Sequence, residues 1–164
     1  MNKTLIFGNS GSGKSTLAIS MAKEHQLAHL DLDTLAWQAT DPPKRKPLSE
    51  SKQAMALFCA ENEGWVIEGC YAGLLCLVAE QAEQAIFMNL PVSLCQENAK
   101  NRPWEIHKYS SQAEQDANLP MLLRWIAAYT ERTDEFSYQA HASLFESLKG
   151  SKRQITKNQT SRLI

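Results

Sequence analysis

KTLIFGNSGSGKST, residues 3–16, is the stretch that decides the fold. Its first five residues form an apolar run of strand length, after which the chain turns through Gly8, Asn9, Ser10, Gly11, Ser12 and Gly13. Lys14, Ser15 and Thr16 then open a segment whose periodicity predicts a helix over 14–25, with Leu17 and Met21 on one face. Gly8 to Ser15 satisfies GxxxxGKS, and a strand before it with a helix after it is the context that pattern requires. Glycines let the backbone turn its amide hydrogens inward around phosphates, and the helix offers its positive end to the same anion. Lys14 is expected to reach the outer phosphates and the Ser15 hydroxyl to ligate magnesium, so the expected cofactors are ATP and Mg2+. A chance match in a chain this long is on the order of one in a few hundred.

Working outward, strand and helix alternate. Residues 29–32 read as a second strand, 41–47 (DPPKRKP) as a loop, and 49–62 as a helix with Ser49 near its cap. A strand is predicted over 65–68, a helix over 71–83, a buried strand over 84–90 and a helix over 92–101 after Pro91. Residues 102–118 are polar and irregular and suggest a short lid; a long helix is predicted over 119–149, a last strand over 153–156 and a terminal helix over 158–164. Five strands separated by helices predict a three-layer α/β fold, a parallel sheet covered on both faces with ligands at the strands' carboxyl ends. One domain over 1–164 is expected.

Phosphoryl transfer needs a carboxylate to hold magnesium or orient the attacking group, and Asp31, Asp33 and Glu68 fall at predicted strand ends. Glu68 is the expected magnesium partner of Ser15, and Asp33 the residue that meets the acceptor; capping of the turn is the competing role for both aspartates. Arg102, Lys108, Arg124 and Arg132 lie in or after the irregular stretch, with Arg102 and Arg132 the expected catalytic cations. Trp37 and Tyr71 are candidates to stack on a substrate ring, against core or lid packing.

Composition narrows the partners. The 164 residues are 43% hydrophobic and 21% charged with net charge −1 and pI near 6.4, so no basic field would hold a nucleic acid. The expected protein is cytoplasmic, with no membrane and no nucleic-acid partner, a monomer or homodimer taking a nucleoside triphosphate and a small-molecule acceptor. Cys59, Cys70, Cys76 and Cys95 form no metal-ligand spacing and read as reduced, partly buried thiols.

GNSGSGKSTLA (8–18), HLDLDTLAW (29–37), GWVIEGCY (64–71) and IFMNLP (86–91) together resemble the small adenylate kinase-like proteins known as DNA topology modulation (FlaR-related) proteins. The resemblance spans nearly the whole chain and implies a P-loop NTPase fold of nucleoside and shikimate kinase type. In that family an HLDxLxW-like pattern ends the second strand, here Leu32, Asp33, Leu35 and Trp37; an acidic-Gly-x-Tyr pattern ends the third, here Glu68, Gly69 and Tyr71. The family's acid there is usually aspartate. DLD at 31–33 is similar to the DxD of shikimate kinases, which implies magnesium at Asp31 and substrate at Asp33.

Two functions are therefore expected to compete. One is a kinase moving the terminal phosphoryl group of ATP to a small hydroxyl or phosphate acceptor. The other is a nucleotide-dependent regulatory protein in which ATP reshapes residues 102–118. A GTPase is disfavoured, since the sequence has no NKxD base-reading motif.

Overall fold

The structure is a computed structural model and describes residues 2–38, 40 and 43–159. Its main sheet has five parallel strands: β1 (Lys3–Gly8), β2 (Ala28–Asp31), β5 (Trp65–Gly69), β6 (Gln84–Met88) and β7 (Ser151–Ile155), in the order β2-β5-β1-β6-β7. A two-residue antiparallel pair, β3 (Trp37–Gln38) and β4 (Lys44–Arg45), lies apart from it. This pair corrects the loop expected over 41–47, of which Asp41 and Pro42 are outside the described residues.

Side chains alternate between faces along each strand, so the central strands feed two cores. Leu5, Phe7, Trp65, Ile67, Ala85 and Phe87 bury one face. Against it pack α3 (Leu48–Glu61) through Met55, α4 (Ala72–Cys76) through Leu74 and Leu75, and α7 (Tyr138–Ser147) through Leu144 and Phe145. Ile6, Val66, Ile86 and Met88 bury the other face. It is covered by α1 (Lys14–His25) with Ala18, α5 (Val92–Lys100) with Cys95 and Ala99, and α6 (Gln112–Ala127) with Ile126. The short helix α2 (Asp33–Ala36) follows β2 directly.

Several elements differ from the sequence reading. The cap of α3 is Pro47 without a side-chain bond, not Ser49. The helix expected over 71–83 stops at Cys76 and is followed by a 3-10 turn, Ala79–Gln81. The irregular stretch ends earlier than expected, since α6 begins at Gln112 with the Ser111 side chain accepting from the Glu114 backbone N–H. Pro120 lies inside that helix. The expected helix over 119–149 is two helices: after α6 a 3-10 turn, Ala128–Thr130, and a non-helical link lead to α7, capped by Ser137 on the Ala140 N–H. The terminal helix expected over 158–164 falls mostly outside the described residues, and Asn158 and Gln159 are not helical. The four thiols are free; Cys95 is buried, but Cys76 is exposed rather than partly buried.

Register sets the carboxyl edge of the sheet. Asp31 pairs with Glu68, Ile6 with Glu68 and Gly8 with Met88, which aligns the ends of β2, β5, β1 and β6 beside the loop 8–13. Gly11 within that loop has φ +76°, and a Cβ there would run into the Cys95 carbonyl of α5. Gly11→Ala therefore combines left-handed strain with a backbone clash, and a loss of about 1–3 kcal/mol of stability is expected. Thermal melting checks it; a variant as stable as the parent would mean that α5 yields.

Candidate active site

The loop is held from behind by amide side chains. Asn9 Nδ2 donates to the Ile126 carbonyl of α6 at 3.1 Å, and Asn98 Nδ2 of α5 donates to the Gly11 carbonyl at 2.8 Å. Lys14 folds its ammonium back onto the Asn9 carbonyl at 2.8 Å. Ser12 is buried, and its hydroxyl has no hydrogen-bond partner. Ser15 and Thr16 occupy the first turn of α1, whose N-terminus follows left-handed Gly13. A loop pinned on two sides keeps its amides set for an anion at little further ordering cost.

Asp33 stands at the start of α2, beyond the end of β2. Tyr71 donates its hydroxyl to Asp33 Oδ1 at 2.5 Å, and that hydroxyl in turn accepts from Trp37 Nε1 at 2.8 Å. Lys108 Nζ lies 3.4 Å from Asp33 Oδ2. Burial pushes the Asp33 carboxyl up, but the Tyr71 hydrogen bond and the charges of Lys108 and Lys14 outweigh it and hold Asp33 below the usual carboxylate value. Its side chain is still 44% exposed, so a ligand can reach it. Asp31 supplies the turn cap, Oδ1 accepting from the Asp33 N–H at 2.9 Å. Burial and then the charges of Glu68 and Asp33 raise its pKa.

Glu68 is buried at the end of β5, its Oε1 3.5 Å from His29 Nε2. Neither atom has a hydrogen-bond partner. Among the described residues no group of three or more His, Cys, Asp or Glu could hold a metal. Mg2+, however, uses one or two protein oxygens with phosphate and water. An unpartnered Glu68 oxygen and a raised Asp31, both at the strand ends beside the loop, fit such a hard-oxygen site.

Of the expected cations, the two preferred ones turn elsewhere. Arg102 pairs with Glu105 at 3.0 Å. Arg132 donates to the Trp125 carbonyl and lies over the Trp125 ring at 3.5 Å, with Asp134 3.9 Å away. Lys108, which the sequence ranked below them, is the one on Asp33. Trp37 and Tyr71 bond each other as described. Arg45, unremarked in the sequence, lies 4.5 Å from the Tyr71 ring centroid and pairs with Glu135 at 2.9 Å.

His141, also unremarked, is fully buried on α7 beside Phe7 and Phe87. Nε2 is 2.8 Å from the Cys70 carbonyl, which can only accept, so Nε2 carries the proton and Nδ1 accepts from the Tyr129 hydroxyl, also at 2.8 Å. It thereby ties α7 to the turn before Tyr71. Burial lowers its pKa to about 4. The unfolded chain takes up this proton first, so stability is complete above pH 6.5 and declines as pH falls from there toward 4. The decline is on the order of 3 kcal/mol. His141→Gln is expected to flatten that slope in pH-dependent melting, and an unchanged slope would assign it to other groups. Cys70 itself is pushed up to about 12 by burial, so it is a poor nucleophile at neutral pH.

No protein-family model matches the chain, and no curated protein does either. Solved structures do match. A shikimate kinase from Acinetobacter baumannii, in complex with shikimate, superposes with TM-score 0.54 at 13% identity over 98% of this chain and 87% of that one. This chain has a phosphate-loop α/β fold. A sugar kinase from Janibacter sp., unliganded, matches with TM-score 0.51 at 12% identity over 96% of this chain and 84% of that one. An uncharacterized protein from Eubacterium ventriosum matches with TM-score 0.50 at 12% identity, covering 95% and 89%. At such identities the kinase-like fold is what is shared. Among the described residues, no helix is long and apolar enough to cross a membrane.

Proposed function

We propose that the protein is an ATP-dependent small-molecule kinase with its acceptor hydroxyl at Asp33. The observation that carries this reading is a solvent-reachable carboxylate, fixed by Tyr71 and Lys108, just beyond the carboxyl end of β2 on the sheet edge that bears the phosphate loop. In the reaction, the acceptor oxygen forms a bond to the γ-phosphorus, the bond from that phosphorus to the β–γ bridging oxygen breaks, and its electron pair leaves on ADP. The hydroxyl proton passes to Asp33. A carboxylate of low pKa is a weak base, which suits a loose transition state in which the proton moves late and orientation matters most. Lys14 and the loop amides bind the triphosphate, and Ser15 with Asp31 and Glu68 would hold magnesium. When bound, that ion neutralises charge developing on the phosphate oxygens.

The reading includes kinship with the FlaR-related proteins. Its support is that Asp33 and Trp37 of one motif join Tyr71 of the other in one hydrogen-bonded chain. One domain over 1–164, a short lid at 102–111 bearing Lys108, and a cytoplasmic location without nucleic acid complete the proposal. The test is ADP release from Mg-ATP across a panel of hydroxyl and phosphate acceptors. Stimulation by an acceptor is expected; tight ATP binding with no stimulation across the panel would favour the regulatory role instead.

A further inference from the structure

The cations around Asp33 already have carboxylate partners. Lys108 lies 3.4 Å from Asp33 and 3.5 Å from Glu105, and Arg102 takes Glu105 as well at 3.0 Å. Arg45, which lies against the Tyr71 ring, is matched by Glu135 at 2.9 Å. Glu135 is itself fixed, its other oxygen accepting from the Gly73 backbone N–H at 3.3 Å. Lys14 belongs to the phosphate loop, its ammonium on the Asn9 carbonyl at 2.8 Å. An anionic acceptor would have to break the Arg45–Glu135 pair, displace Lys108, or leave its own charge beside Asp33.

Trp37 offers something different. Its indole is anchored by Nε1 on the Tyr71 hydroxyl, yet the residue is 42% exposed. The Arg45 guanidinium lies over part of the ring, 5.9 Å from its centroid, and the exposed remainder presents a fixed apolar surface next to a hydrogen-bond-accepting carboxylate. Resting on the kinase reading above, we infer that the acceptor is an uncharged hydroxylated ring: its hydroxyl donates to Asp33, its flat or CH face lies on Trp37, and it carries no carboxylate or phosphate. Lys108 and Arg45 then serve as matched charges that position Asp33 and Tyr71, and not as anion receptors.

Matched pairs that differ by one charged group test this: adenosine against adenosine monophosphate, and glucose against glucuronate, each followed by ADP formation with Mg-ATP. The uncharged member of the responding pair is expected to have the higher kcat/KM by at least about tenfold, the loss expected from a charge left without a partner. Which pair responds tells whether the ring is a nucleoside or a free sugar. Equal or better turnover with the charged members overturns the inference and leaves the kinase reading standing. No acceptor-dependent ADP from any of the four, with ATP still bound, overturns the inference, and the wider acceptor panel then decides the kinase reading. Glu135→Gln supplies a second readout by releasing Arg45: the ratio of charged to uncharged kcat/KM is expected to rise about tenfold. A ratio is insensitive to partial loss of active protein, and one that stays fixed also overturns the inference.

Discussion

Lys14→Ala is expected to abolish detectable triphosphate binding and to lower any turnover by about a hundredfold to a thousandfold. Its ammonium rests on the Asn9 carbonyl, within the loop itself, at 2.8 Å. From there a small rotation takes it to an anion held by the loop amides, where it would face charge developing on the transferred group. Alanine loses the bond to the Asn9 carbonyl but leaves the glycine turns and the side-chain contacts of Asn9 and Asn98 in place, so the fold should persist and the loss should be specific. Calorimetric titration with Mg-ATP and a melting curve on the same sample check both halves. Full affinity in the variant would remove the phosphate-loop assignment and everything built on it.

Asp33→Asn separates chemistry from nucleotide binding. The amide oxygen can still accept from Tyr71, and Lys108 keeps Glu105 at 3.5 Å, so the local structure survives. What is lost is the negative charge that orients the acceptor hydroxyl and takes its proton, and kcat is expected to fall about a hundredfold to ten-thousandfold with ATP affinity retained. Because Asp33 is held below the usual carboxylate value, it remains ionised through neutral pH. Its contribution to the rate should be lost only as acid carries the pH through that depressed value. A variant with parental kcat would reduce Asp33 to a structural residue, although the cap of that turn is already supplied by Asp31.

The sheet was legible in the sequence wherever strands were short, apolar and bounded by glycine or proline. For α1 the predicted range and the observed one, Lys14–His25, coincide, because the motif fixes where the helix starts. The region after residue 102 was read less well because apolar periodicity is silent on an exposed polar turn. The informative signal was Ser111 followed three residues later by Glu114, whose carboxylate also accepts from the Ser110 backbone N–H, a cap that announces α6 before its apolar residues begin. Asp134 accepting from the Phe136 N–H, and then Ser137 as a cap, likewise marks the break before α7.

The acidic candidates of the site follow from strand ends and so were nameable from spacing. Its cations were named only as a group of four, with the wrong two preferred. Whether Lys108, Arg102 or Arg132 reaches Asp33 depends on the path of an irregular segment, and Arg45 reaches Tyr71 only through the small β3–β4 pair. His141 sits in a helix among apolar residues, and nothing in its spacing distinguishes a core histidine from one that grips the turn before Tyr71.

The pinning of the loop also sets a timetable for biosynthesis. The α6 carbonyl that accepts from Asn9 lies 117 residues after it in the chain, and the α5 amide that grips Gly11 lies 87 residues after that glycine. At typical rates of translation the second clasp arrives roughly ten seconds after the loop itself. Until then β1, with Leu5, Ile6 and Phe7, has no finished sheet on either side. A loop whose clasps come this late in the chain is completed only when α5 and α6 dock, so its finished form belongs to the end of folding rather than its beginning.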